Sequence, residues 1–399
     1  MTFPSTASTS LQGATILQII PELEAGGAER TTIDIADGLV QAGARALVAA
    51  TGGRLIAELQ SKGGEWIEFP AKTKNPLRMW WNIGKLVKIF RAENVQVVHA
   101  RSRAPAWVAY FAAKRLGLPF VTTYHGSYSA KSAAKTLYNS IMARGDVVIA
   151  NSIYTGELIR QNHPISNGRI RVIYRGTDLN AFSSSSISSD RIFKMRSSWG
   201  LIEDERVVLL AARLTPWKGA RVLIEAASLL KKRGINNVVY VLAGDPQGRL
   251  TYVKELDDIV MRNDLSGIVR RVGHVSDVAA AVFTASVITV PSTAPEAFGR
   301  VAVEAQALGT PVIVSDLGAV PETVLAPPTV PAEQRTGWRV KPADPEELAN
   351  AIEAALCLRP SSREALAERG RRHVQQFFSL ERMVTDTLDI YAALIDSNR

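Results

Sequence analysis

The sequence predicts an α/β protein of two doubly wound parallel sheets, each covered by helices on both faces. Three observations carry this expectation. A length of 399 residues suits two compact domains. Short apolar runs alternate with helical periodicity along nearly the whole chain. Between residues 181 and 189 the stretch AFSSSSISS has little to bury, so it reads as a linker after which the alternation restarts. With 46% hydrophobic and 21% charged residues the composition is not that of a disordered chain, and no apolar run approaches the roughly 20 residues that span a bilayer.

The elements follow in order. Residues 1–13 are polar, lack the basic and apolar regions of a secretory signal, and are expected to form a frayed tail. Strands are predicted at 14–20, 46–50, 95–99, 120–124, 147–150 and 171–174, then at 207–212, 238–243, 268–272, 287–290 and 311–314. From 345 to 395 the pattern is helical, broken near Pro360 and again near Ser379. The domains are therefore expected at 14–180 and 190–378, with 379–399 a last helix packing back on the first. Cys357, the single cysteine, can make neither an internal disulfide nor a zinc cage. Its Ala/Leu-rich helical setting suggests a small buried hydrophobe, and a reducing, cytoplasmic compartment fits.

Charge is distributed unevenly. Residues 1–180 hold 21 lysines and arginines against 12 acidic residues, so the entire net charge of +9 lies there. An anionic partner for that part follows: a membrane surface, a phosphorylated acceptor or a nucleic acid.

The signatures of P-loop NTPases, dinucleotide oxidoreductases and zinc enzymes are missing, and no Asp-x-Asp follows a strand. A metal-bridged diphosphate site is thus disfavoured, leaving cations and backbone amides to meet phosphate charge. Gly26 and Gly27 follow the first strand and precede a helix from about Ala28, letting amides and the helix dipole approach an anion. An ordinary tight turn uses the same glycines. His125-Gly126 ends the strand 120–124, where ligands bind in open α/β sheets, and His99 ends another with Arg101 and Arg103 following. Either histidine also suits a structural role. In the stretch 211–219, AARLTPWKG, Arg213 and Lys218 flank a turn at Pro216 and can converge on one diphosphate, or stand as two solvated cations. The most specific stretch begins at Pro295 and reads PEAFGRVAVEAQALGTPV. Glu296 is expected at the mouth of a helix and Glu304 two turns inside it, roughly 12 Å along the axis. That exceeds the ~5 to 9.5 Å of a glycosidase pair, so the two carboxylates are expected to hold different ends of one extended ligand. Phe298, Gly299 and Arg300 add free amides at the helix start.

Through GGAER, the strand-end HG, ARLTPWKG and EAFGRVAVE followed by ALGTPVI, the chain resembles family 4 glycosyltransferases of the GT-B architecture. The resemblance implies two Rossmann-like domains facing a central cleft, C-terminal helices crossing back to the first domain, and retaining transfer from a UDP- or GDP-sugar without cofactor or metal. It assigns Arg213 and Lys218 to the diphosphate, Glu304 to the ribose hydroxyls, and Glu296 with the amides of Phe298, Gly299 and Arg300 to the donor sugar. His125 would neighbour the transferring sugar, Gly26 and Gly27 the diphosphate, and the segment of Gly273 and His274 the base. The proton passes, in such enzymes, to the leaving phosphate oxygen on the front face.

Residues 72–91 carry six cations and no acid. On a helix from about Pro76, Met79, Ile83, Leu86, Val87 and Phe90 fall at core spacing, while Arg78, Trp81, Lys85 and Lys88 share another face. Such a face suits anionic headgroups, or simply solvent. Lys131 and Lys135 add charge beyond His125. A phosphorylated or lipid-linked glycan acceptor, used in lipopolysaccharide or other cell-envelope synthesis by an enzyme peripheral on the inner face of the cytoplasmic membrane, is the resulting expectation. Two rivals stand beside it: another GT-B enzyme, a phosphorylase or nucleotide-sugar epimerase, and a basic nucleic-acid-binding protein, for which no binding signature is present.

Overall fold

The computed structural model describes residues 8–24, 26–126 and 132–398. The chain forms two compact units, one of residues 1–176 with 380–399 and one of residues 177–379. The first unit thus ends ahead of the serine-rich stretch, whose Ile187 is buried in the second unit's core.

The first unit holds strands β1 (Thr15–Ile19), β2 (Arg45–Ala50), β3 (Glu65–Glu68), β4 (Val97–Ala100), β5 (Phe120–Tyr124), β6 (Val147–Ala150) and β7 (Ile170–Val172). All pair in parallel, in the order β3-β2-β1-β4-β5-β6-β7. The second holds β8 (Arg206–Ala211), β9 (Val238–Ala243), β10 (Val269–Gly273), β11 (Val287–Val290), β12 (Val312–Ser315) and β13 (Trp338–Val340), also parallel, in the order β10-β9-β8-β11-β12-β13. The central strands are buried on both faces, which is why they read as continuous apolar runs. Two edge strands, β3 and β13, escape the sequence reading. The first is EWIE, with both ends exposed, and the second only WRV.

Each sheet separates two apolar layers. In the first unit one layer is sealed by the last helix, Leu380–Ser397, whose Met383, Val384, Leu388, Tyr391 and Ile395 join the core beneath the helix Gly27–Gln41. A Cβ on Gly38 of that helix would lie 2.2 Å from Val384, so the two helices approach too closely for any side chain there. The expected frayed tail is partly ordered as well. Ser8–Leu11 is a helical turn, because Leu11 is fully buried and Ser10 Oγ donates to Asp396 at 2.8 Å. A second expectation also fails: Cys357 is exposed, since it caps the helix Pro345–Leu356 instead of lying within it.

Tyr391 carries the polar part of this closure. Its hydroxyl lies 2.5 Å from His99 Nδ1 at the end of β4, and His99 Nε2 lies 2.7 Å from Thr123 Oγ1 of β5. Burial above all, then the charge of Arg101, holds the His99 ring well below its ordinary value, and burial pushes the Tyr391 phenol up to about 12. The native ring is therefore neutral, whereas in the unfolded chain it binds a proton below about pH 6.5. Stability should be fully present above that value and fall on acidification, one proton steeper for each such histidine. In urea titrations between pH 8 and 5.5, His99→Gln should lower stability at neutral pH but flatten its decline below 6.5. Parallel declines would mean that His99 is already charged in the native state.

Candidate functional site

In the second unit the site is built on three strand ends. β8 runs into Arg213, then a 3-10 turn, Pro216–Lys218, and Gly219, which caps the helix Ala220–Lys232 at φ +76°. A Cβ at Gly219 would sit 1.8 Å from the carbonyl oxygen of Pro291, just beyond β11. Only glycine lets the two loops close, and Thr293 N then donates to Trp217 O at 2.8 Å. A third loop joins after β12, where Gly318 at φ +72° bridges Glu296 and Ala319 N donates to Glu296 O at 2.9 Å.

The consequence is a buried polar cluster. Lys218 Nζ forms an ion pair with Glu296 Oε1, with the two side chains only 17% and 10% exposed. Ser292 Oγ donates to the same oxygen at 2.6 Å, and the ammonium lies 4.3 Å from the centre of the Trp217 ring. Lys218 and Glu296, 78 positions apart in sequence, are thus partners. Arg213 is exposed and makes no side-chain hydrogen bond or ion pair among the described residues, so its five donors face solvent.

Glu296 and Glu304 do not share a helix. The helix is Arg300–Leu308, because Gly299 at φ +84° breaks helical geometry just before it, so the 12 Å spacing along one axis does not apply. Glu304 is buried and accepts from Arg300 Nη2 at 2.8 Å across one turn. The N-cap residue Gly299 has no side chain to cap this helix, while the Phe298 ring packs edge-on against Phe378 at 5.6 Å and anchors the loop. Gly273 ends β10 and His274 follows, both exposed. Asp277 caps the next helix, accepting from Ala280 N at 3.0 Å and pairing with Arg191, which holds its carboxyl below the usual range.

In the first unit Gly26 caps the helix Gly27–Gln41 with no side chain of its own, and the Glu29 carboxylate of the first turn folds back to within 2.3 Å of where a Cβ on Gly26 would be. The guanidinium of Arg175 lies against Gly27, 2.6 Å from where a Cβ would be, and donates from Nη2 to His125 Nδ1 at 3.3 Å. Burial first, then Arg175 and Arg101, keeps His125 well below its ordinary value, and its Nε2 is buried with no partner among the described residues. Arg101, buried beside it, donates from Nε to Gln18 at 2.7 Å. Gly27 and His125 are thus joined by an arginine that the sequence reading passed over. Its signal was an arginine, Tyr174-Arg175-Gly176, just past β7 at the strand edge where ligands bind. Arg78, Trp81, Lys85 and Lys88 lie exposed on the helix Pro76–Ala92, and Lys135 is exposed on Ala133–Asn139. Lys131 falls outside the described residues. Among the described residues no helix is long and apolar enough to cross a membrane.

Comparison with known proteins places the chain in a family. The family model described as Glycosyltransferase Family 4 matches residues 25–181, and that described as Glycosyl transferases group 1 matches 192–373. A glycosyltransferase crystal structure from Rickettsia africae is 31% identical and covers 96% of this chain and 99% of its own, with a TM-score of 0.87. The chain belongs to glycosyltransferase family 4 and has the GT-B fold. The Anabaena protein HepE, crystallised with UDP and glucose, is 26% identical, with 95% of this chain and 100% of that chain covered and a TM-score of 0.80. A D-inositol 3-phosphate glycosyltransferase of Streptomyces avermitilis is 27% identical over 321 residues, which make up 76% of this chain and 66% of that protein. The chain therefore spans about two thirds of that relative's length.

Three variants probe the construction of this family member's second unit. Gly219→Ala should cost about 3 kcal/mol in urea denaturation, because both the backbone conformation and the Pro291 carbonyl oppose a Cβ. Lys218→Met should cost about 3 kcal/mol by leaving Glu296 buried without its cation, and Lys218→Met/Glu296→Gln should recover part of that loss. Additive costs in the double variant would show that the two groups do not interact.

Proposed function

We propose that the protein transfers a sugar from a nucleoside diphosphate sugar, UDP- or GDP-linked, to a phosphorylated or lipid-linked glycan acceptor, with retention at the anomeric carbon. The buried Lys218–Glu296 pair, with Arg213, unpartnered among the described residues, five positions from Lys218, is the observation that carries this reading. A diphosphate entering there replaces the carboxylate as partner of Lys218 and gains the open fork of Arg213, so both cations offset charge as the bond to the sugar breaks. Glu296, released from the ion pair, is then an acceptor for the donor sugar's hydroxyls, beside the open amides before Arg300. Glu304 turns from Arg300 to the ribose hydroxyls, and the backbone at Gly273 and His274 meets the base.

From the first unit, the family resemblance assigns Gly26 and Gly27 to the diphosphate, where Arg175 beside Gly27 adds a cation, and His125 to the sugar. A neutral imidazole with a free Nε2 suits a hydroxyl partner better than a phosphate. The proton of the attacking acceptor hydroxyl passes to the leaving phosphate oxygen, so no separate carboxylate base is required. HepE's complex with UDP and glucose supports the donor class. The excess positive charge of residues 1–180 supports an anionic acceptor, and cell-envelope glycan synthesis is the setting we favour. The relative named for D-inositol 3-phosphate supports a second reading, in which the acceptor is a small phosphorylated polyol.

A melting series with UDP, GDP, ADP and NAD tests the donor site. At about 100 times its dissociation constant one nucleoside diphosphate should stabilise the protein by roughly 2.7 kcal/mol, and Glu304→Ala should abolish the gain. Absence of any shift at millimolar nucleotide would overturn the reading. Release of free nucleoside diphosphate that depends on acceptor then separates transfer from epimerisation.

A further inference from the structure

The helix Pro76–Ala92 begins at Asn75, whose side chain accepts from Arg78 N at 3.1 Å, and it buries Asn82, Leu86 and Phe90 against the first sheet's core. Met79, Ile83, Val87 and Ile89 pack partly beside them. Those contacts satisfy the helix's structural role. Yet Leu77, Trp80 and Trp81 stand outside it, 73%, 65% and 69% exposed. The two indoles meet edge-on, with ring centres 6.4 Å apart, and form an apolar crest on the solvent side.

Around the crest lie Lys74, Arg78, Lys85, Lys88 and Arg91, all exposed, none in an ion pair among the described residues. Five cations elsewhere in this unit do find acids: Arg30 with Glu58, Arg45 with Glu65 and Glu93, Arg54 with Glu24, Lys62 with Asp37, Lys72 with Glu22. The difference arises because no acidic residue occurs between positions 69 and 92. The helix leads into β4 of a parallel sheet, so its first turns, which carry the crest, start from the edge where the strands end and ligands bind.

We infer that this face docks the protein on an anionic lipid bilayer, with Trp80, Trp81 and Leu77 at the headgroup boundary and Arg78, Lys85 and Lys88 against lipid phosphates. Cations alone would fit any polyanion. The paired indoles and Leu77 require an apolar phase with a wet rim, which the bilayer interface supplies. A lipid-linked acceptor would then be presented at the same edge of the sheet as the first unit's polar cluster. The inference goes beyond the sugar-transfer reading and does not depend on it.

Co-sedimentation with vesicles of phosphatidylcholine alone and of phosphatidylcholine with 30% phosphatidylglycerol tests it. The protein should partition onto the anionic vesicles, with a blue shift of tryptophan emission, and not onto the neutral ones. Trp80→Ser/Trp81→Ser and, separately, Lys85→Gln/Lys88→Gln should each lower that partitioning at least tenfold. All four side chains are exposed, so both variants should keep the wild-type melting temperature and the melting shift given by the nucleoside diphosphate, which reads the other unit. Loss of that shift alone in the wild type would count against sugar transfer, not against docking. Failure to bind anionic vesicles, or binding unchanged in the tryptophan variant, would overturn the inference. Retention on heparin with no vesicle binding would do the same, by identifying a simple polyanion surface.

Discussion

The second unit's site depends on one steric constraint, the approach of the turn after β8 to the backbone after β11. Gly219 admits the Pro291 carbonyl where a methyl group would collide with it, and the Lys218 ammonium is thereby delivered to the Glu296 carboxylate. Gly318 plays the matching part on the other side, meeting the backbone of Glu296 directly. Three loops from three strands are so held together by backbone contact, and the charged side chains inherit their positions from it. A buried ion pair contributes little net stability once its desolvation is counted, so its placement is better understood as a stored electrostatic arrangement than as a staple.

That arrangement has a chemical logic. A lysine and a glutamate that neutralise each other can be held in a largely dry site at tolerable cost, and under the proposed function both become available when a ligand brings a diphosphate for one and hydroxyls for the other. Arg300 and Glu304 repeat the pattern one turn into the next helix. In the first unit the problem is the opposite one. Arg101, Arg175, His99 and His125 concentrate positive potential near the strand ends, and the histidines respond by staying neutral. The N-terminal end of the helix Gly27–Gln41 adds to the same potential, partly offset by Glu29 in its first turn.

The last helix shows how closure of the first unit is tied to those strand ends. Tyr391 reaches His99 from a segment nearly three hundred residues later, so one hydroxyl couples the packing of the final helix to the geometry of β4 and β5. Its apolar neighbours fill a layer that the first 176 residues leave incomplete.

Much of this was legible in the amino-acid order. The doubly wound class, the buried central strands, the helical breaks at Pro360 and Ser379, and the special character of the segments around Lys218 and Glu296 follow from local signals: apolar runs, helix breakers, and charges set among small residues. The edge strands β3 and β13 were not legible, because a half-exposed strand of three or four residues has no apolar run to announce it. Nor was the pairing of Lys218 with Glu296, the separation of Glu296 from its supposed helix, or the role of Arg175 beside Gly27. Each of these turns on which distant backbone approaches which glycine, a relation that sequence spacing does not encode. Residue types and periodicity thus determined the layers and the inventory of charges, while tertiary packing decided which charges meet and which, like those beside Trp80 and Trp81, have no ion-pair partner among the described residues.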